Sequence, residues 1–272
     1  MSWGVLRADK SLAAFPLLSG IASIVVAGAF AGLIALTSFE DTTTATGSTS
    51  TSFEPIGWVF VVVMYLALAF VVVYFQSALT AAADRSLRRE PTSVRDGLRE
   101  ANSRIGVILG WAIVVATVNM VLRAIEERAG FVGQIVAGLL GAAWNIVTFL
   151  AVPVIVLERV GPGKALKRSG SLLKQTWGEN IIAQVGLGLI SVVAMLPAVA
   201  LGAGAFAIGS LAAVPLVVVA VVWILAVAVV MSALTGIYRV ALYRFAVDHV
   251  PPVAFAEVDF DHAFGPRRHR KS

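Results

Sequence analysis

The chain has 272 residues, of which 58% are hydrophobic and only 14% charged. A water-soluble domain carries about 25% charged residues, so composition excludes an ordinary soluble fold and points to the membrane class. The net charge is +5 with no cysteine. Disulfides, thiolate metal sites and cysteine nucleophiles are thereby excluded, and cations set beside apolar runs suit a lipid surface better than nucleic acid.

Crossing the hydrocarbon layer as a helix takes about 20 apolar residues. Six runs qualify: 16–37, 56–80, 105–122, 132–157, 181–200 and 211–236. In lipid, only helices and closed barrels satisfy every backbone group, and these runs are too long for barrel strands. The expected fold is therefore all-α: a polytopic transmembrane helical bundle over 1–248, followed by a basic tail over 249–272. The first run follows Arg7 and Lys10. It exceeds the apolar region of about 7–15 residues found in cleaved signal peptides, so a retained anchor is expected. Within it, Gly28 and Gly32 form a Gly-x-x-x-Gly pair, expected to mark close helix packing inside the chain, with packing between chains as the alternative. The next segment, "SFEDTTTATGSTSTSFE" at 38–54, has no cation and no apolar pattern to build a core. It reads as a flexible tether.

Runs two and three are joined by "REPTSVRDGLREANSR", 89–104. Pro91 precedes Ser93, and Asp96 follows three residues later, close to a capping box. On a helix, Val94, Leu98, Ala101 and Ile105 share one face. Runs four and five are joined by "GPGKALKRSGSLLKQTW", 161–177. There Leu166, Gly170, Leu173 and Trp177 share a face, opposite Lys164, Lys167, Arg168, Ser171 and Lys174. Two basic amphipathic helices are expected to lie at the cytoplasmic interface, apolar face on lipid and cations toward phosphates. Each such cation is worth about 1 kcal/mol near an anionic leaflet. Lys164, Lys167, Arg168, Lys174, Arg95 and Arg99 are the candidate headgroup ligands; the plainer alternative is that these cations only set orientation. The order span, proline, amphipathic helix, span occurs twice and suggests a parallel repeat. Residues 201–210, "LGAGAFAIGS", read as a tight turn between runs five and six.

Of the 21 Lys and Arg residues, all but Arg123 and Arg128 fall in the N-terminus, the loops joining runs two to three and four to five, and the C-terminal region. An even number of spans puts these together, so both termini are expected in the cytoplasm by the positive-inside rule.

Polar residues within the runs are few. Asn145, Thr148 and Gln184 are the candidate lining of an intramembrane polar pocket. The alternative is interhelical hydrogen bonding, worth about 0.6 kcal/mol each. Pro153 and Pro197 are expected to kink runs four and five. No run carries a charge in its middle, which argues against proton-coupled transport and intramembrane acid–base catalysis. "GPGKA" lacks the P-loop pattern: Glu158 stands where the first Gly belongs, and Ala165 where Ser or Thr belongs. Histidine occurs only at His249, His262 and His269; His262 with Asp259 and Asp261 reads as a solvated tail. No catalytic residue, metal or cofactor is expected.

"VLRADKSLAAFPLLSGIAS", "GPGKALKRSGSLLKQTWGENI", "YRVALYRFA" and "FDHAFGPRR" together resemble a family of uncharacterised prokaryotic six-helix integral membrane proteins, grouped as a domain of unknown function. "ALKRSGSLLKQTW" is also similar to a segment of the membrane domain attached to some glycerophosphodiester phosphodiesterases. The first resemblance implies a six-helix topology and a prokaryotic plasma membrane. The second implies no catalytic residue here, because those enzymes keep their active site in a separate soluble domain. The expected function is non-enzymatic: a lipid-associated scaffold or accessory subunit of an envelope complex, with anionic lipids and a membrane protein or second copy as partners. The alternative is an uncoupled transporter or channel for a small uncharged or lipidic substrate.

Overall fold

The computed structural model describes residues 5–7, 9–37, 39–43, 49–128, 130–175, 177–208 and 213–248. Six helices are long and apolar enough to cross a membrane: Lys10–Thr37, Pro55–Leu87, Ile105–Arg128, Gly133–Leu157, Gly188–Ala207 and Val214–Asp248. These are spans one to six, and the chain is a helical multi-pass membrane protein. The helices are α1 (Ala14–Thr37), α2 (Pro55–Leu87), α3 (Val94–Asn102), α4 (Ile105–Arg128), α5 (Gly130–Thr148), α6 (Ala151–Leu157), α7 (Pro162–Gln175), α8 (Trp177–Ile208) and α9 (Val214–Asp248). The tail over 249–272, including His262 and its acidic neighbours, lies outside the described residues.

The described residues of the segment expected to be a tether are instead two paired strands. Strand β1 (Phe39–Thr43) pairs antiparallel with β2 (Thr49–Phe53), in register from Phe39↔Phe53 to Thr43↔Thr49. A strand pair needs no core of its own once its ends are held, and α1 packs along α2. Loop closure is thus already met, and Thr-rich sequence favours extended backbone.

Helix α2 is the hub, packing against α1, α3, α4, α6 and α9. It starts with Pro55 at its first turn, where the missing N–H costs nothing. It outruns the expected 56–80 because Ala81, Ala82 and Ala83 are strong helix formers. Its residues Ser77–Asp84 are all buried. That run is mostly small, so neighbouring backbones come close. A Cβ on Gly97 of α3 would lie 2.6 Å from the Phe15 ring and 2.7 Å from the Ala78 carbonyl oxygen. Gly97→Ala should therefore destabilise the fold by about 1–3 kcal/mol through overpacking. Gly106→Ala, where an added Cβ meets nothing within 4 Å, should not. Thermal unfolding of the two variants in detergent checks this, and equal losses would refute the close approach.

The Gly28 and Gly32 expectation is corrected. A Cβ at either position would meet nothing within 4 Å, so the pair does not pack inside the chain.

Span four is broken. Phe149 and Leu150 form a turn between α5 and α6. Pro153 has no N–H to give the Phe149 carbonyl and its ring crowds that turn, so the helix opens four residues before the proline. Pro197, by contrast, lies inside the continuous α8. That helix reaches Ile208, so the turn expected over 201–210 is largely helical; apolar and small residues give no stop signal there.

The two basic helices form where expected. Ser93 caps α3, its Oγ accepting from the Asp96 N–H at 3.2 Å and donating to Asp96 Oδ2 at 2.7 Å. That hydrogen bond, with Arg99 nearby, holds the Asp96 carboxyl below the usual carboxylate range. What differs is the partner of the apolar faces. Ala165, Ser169, Leu172 and Leu173 of α7 are buried, and Leu166 packs against the core; on α3 Gly97 and Ala101 are buried, with Val94 and Leu98 partly so. These faces rest on protein, with α7 against α5 and α6 and α3 against α2. Each basic helix is preceded by an arginine in the left-handed region, Arg89 at φ 59° and Arg159 at φ 58°. The same backbone reversal ends spans two and four, in keeping with the suspected repeat.

The buried core gathers at the end of the bundle bearing these helices; Leu12, Phe15, Leu87, Ile108, Ile155, Leu172, Ile237 and Val240 are its largest fully buried side chains. The opposite halves of α8 and α9 expose Val192, Val199, Val218, Val222 and Leu225, as a lipid-facing surface does.

Candidate functional site

Charge is concentrated at the core end, and three carboxylates organise it. Asp84 of α2 is buried and takes Arg244 of α9 in a two-pronged pair, Nε–Oδ1 2.6 Å and Nη2–Oδ2 2.9 Å. Glu158, after α6, accepts from Arg168 of α7 at 2.9 Å and from the Tyr243 hydroxyl at 3.2 Å. Glu100 of α3 pairs with Arg104 at 3.3 Å and with Arg159 at 3.4 Å. The second and third tie segments distant in sequence, as the first does. Tyr74 adds a further link, its hydroxyl donating to Asn102 Oδ1 at 2.8 Å.

The six candidate headgroup cations are all exposed on α3 and α7. Two are engaged: Arg99 with Asp96 at 2.9 Å, and Arg168 with Glu158 at 2.9 Å. Arg95, Lys164, Lys167 and Lys174 form no ion pair among the described residues.

Deeper in the bundle, α2, α4, α5, α8 and α9 line a half-open cavity of about 700 Å³. Asn145 and Thr148 line it, three residues apart on one face of α5. The Gln184 side chain lies outside the described residues. Gln76, Asn119, Ser191 and Thr235 add polar groups, and Leu68, Val72 and Val115 add apolar wall. Trp111 and Trp144 stack beside it with centroids 6.1 Å apart. Among the described residues of this set, the alternative of interhelical hydrogen bonding is not found. Thr148 donates back to the Trp144 carbonyl of its own helix at 2.7 Å. The side-chain amides of Gln76, Asn119 and Asn145 have no hydrogen-bond partner among the described residues. Helix α8 packs along α9 and touches α7, and among the described residues it has no comparable contact with α4 or α5. The cavity sits in that gap, where Asn145 is exposed. The part of α2 that faces it, Tyr65 to Gln76, runs about 16 Å at 1.5 Å per residue.

Arg239 stands at the core end of this cavity and also lines a smaller one of about 230 Å³ beside it. Arg239 lies beyond the last apolar run, so it does not contradict the expectation of no charge in the middle of a run. The apolar run ends near 236, but α9 continues as helix to Asp248 and carries Arg239 inward. Its Nε is buried without a hydrogen bond, and its guanidinium carbon lies 4.9 Å from the Phe149 ring centroid. No carboxylate pairs with it among the described residues. Sequence reasoning missed Arg239, because a hydropathy window closes at the first Tyr-Arg pair. It also missed Asp84 and Glu158, whose partners are remote in the chain.

The profile of a family of unknown function, DUF6159, matches residues 55–251. No curated protein and no solved structure matches the chain.

Proposed function

The chain belongs to that family of unknown function, and we propose that it takes a bilayer-borne, lipid-like amphiphile into the cavity between spans four and five, as an uncoupled carrier or holder, with no chemical step. The observation that carries this reading is the 700 Å³ cavity with its three unpartnered amides. Ligand pockets fall at about 300–1,000 Å³, apolar walls with a few convergent polar groups. These amides, half-buried or exposed into the cavity, are free to hydrogen-bond a bound polar group or water. The loose seam between α8 and α5 supplies a sideways entrance from the lipid.

In this reading the protein sits in a prokaryotic plasma membrane with both termini in the cytoplasm, as its cation distribution favours. The core end then faces the cytoplasm. A second reading, a lipid-associated scaffold or accessory subunit working with a membrane protein or a second copy, draws on the exposed and unpaired Arg95, Lys164, Lys167 and Lys174. Anionic headgroups would supply their counter-charge.

The test uses the full chain in vesicles doped with a diazirine-bearing dodecanol. Photolysis should label residues of α2, α4 or α5 that line the cavity. Asn145→Trp, which fills it, should abolish that labelling, while Leu36→Trp on the exposed surface should leave it unchanged. Labelling confined to the outer faces in the unmodified chain would sink the cavity reading.

A further inference from the structure

We infer that Arg239 is an anion anchor, and that the ligand of the cavity is an amphiphile with a carboxylate or phosphate headgroup seated at the core end. The inference rests on the cavity reading above and adds the chemical class of the ligand.

Four observations converge on it. The guanidinium lines the cavity yet has no acidic partner among the described residues, and the buried-end acids Asp84 and Glu158 are taken, Asp84 by Arg244 and Glu158 by Arg168 and Tyr243. The Arg239 Nε is buried without a hydrogen bond; a partly buried cation without a counter-ion is costly, and such residues mark ligand or ion paths. The Phe149 ring covers one face of the guanidinium, a cation–π contact that orients the planar fork without neutralising it. A fork held by its face presents its edge, which matches a carboxylate or phosphate by two parallel hydrogen bonds. Finally, the charge of the cavity lies at one end. Gln76, Thr235 and Arg239 cluster at the core end, where the two cavities share them and where the lining carries its cation, while beyond them Leu68, Val72 and Val115 form apolar wall between the uncharged Asn119, Asn145 and Ser191. A headgroup at Arg239 would leave its alkyl chain along that wall and between the lipid-facing helices. A free anion would leave the apolar length empty.

The experiment is calorimetric titration of the full chain in neutral detergent with four probes: dodecanoate, dodecyl phosphate, dodecanol and inorganic phosphate. The unmodified protein should bind the two anionic amphiphiles at least about tenfold more tightly than dodecanol, the scale of hydrogen bonds to a charged group. Arg239→Gln should erase that preference and leave dodecanol binding unchanged. Arg239→Lys, which keeps the charge and loses the fork, should retain part of it and so separates loss of the anchor from loss of fold. Equal binding of dodecanoate, dodecyl phosphate and dodecanol, with or without Arg239, would overturn the anchor and leave the cavity reading standing. Inorganic phosphate bound as tightly as dodecyl phosphate would overturn the amphiphile in favour of a free anion. Failure of all four probes would overturn both the anchor and the cavity reading.

Discussion

Ser169→Ala is expected to lower the unfolding free energy by about 1–3 kcal/mol, the cost of a buried backbone donor left without a partner. Span four opens at Phe149–Leu150 because of Pro153, and the groups it frees are not left to lipid. The Ser169 hydroxyl of α7 accepts from the Leu150 N–H at 3.2 Å and donates to the Val147 carbonyl at 2.6 Å. Ser169 is fully buried. One side chain thus closes the ladder of a broken transmembrane helix from a helix outside it, which is how non-helical backbone is tolerated at membrane depth. Ser171, two residues on, is exposed and donates to its own helix at Arg168; Ser171→Ala should stay within about 0.5 kcal/mol. Unfolding in mixed micelles, followed by far-ultraviolet dichroism, compares the two. Matching losses would show that the seam is closed by something other than Ser169.

Removing Asp84 should cost more. Asp84→Ala leaves Arg244 facing an apolar core, and breaking one side of a buried pair costs about 3–5 kcal/mol. The pair is nearly enclosed, with side-chain exposures of 11% for Asp84 and 20% for Arg244, so solvent screens it little. Arg88 at 3.4 Å and Asp248 at 3.6 Å extend it and set an upper limit on the loss, since Asp248 can still answer Arg244. Arg244→Met in the Asp84→Leu background should recover part of the stability, because no charge then remains unpaired. A double-mutant cycle on unfolding free energies measures this; a coupling near zero would mean that the α2–α9 junction is held by packing alone.

These two sites also mark where reading the chain stops. The number and approximate position of the spans, the cap at Ser93 and the outward cations of α3 and α7 were all legible. Each depends on neighbours in sequence: an unbroken apolar run, a hydroxyl three residues before the N–H it accepts, and charges that must stay solvated on one stripe of a helix. Asn145 and Thr148 were legible as polar residues in an apolar run. That they face a cavity and lack partners was not, because a pocket is a property of several helices together.

What tertiary structure alone decided involves partners far apart in the chain. Asp84 meets Arg244 across 160 residues, and Ser169 meets Val147 and Leu150 across 22 and 19. A serine on a basic amphipathic helix carries no mark of the backbone it will satisfy. The apolar stripe of α7 was recognisable by its period, but periodicity says only that a face must leave water, and lipid and protein meet that demand equally. Packing chose protein, because the broken span beside it had hydrogen bonds to complete. Arg239 likewise follows an apolar run in the sequence and becomes part of the cavity only because α9 stays helical beyond it, with nothing in the Tyr-Arg steps to end the helix. The sequence by itself therefore determined a six-span membrane bundle with its charge at one end; the contacts among helices determined that a cavity lies beside that end and that Arg239 lines its core end, with no carboxylate paired to it among the described residues.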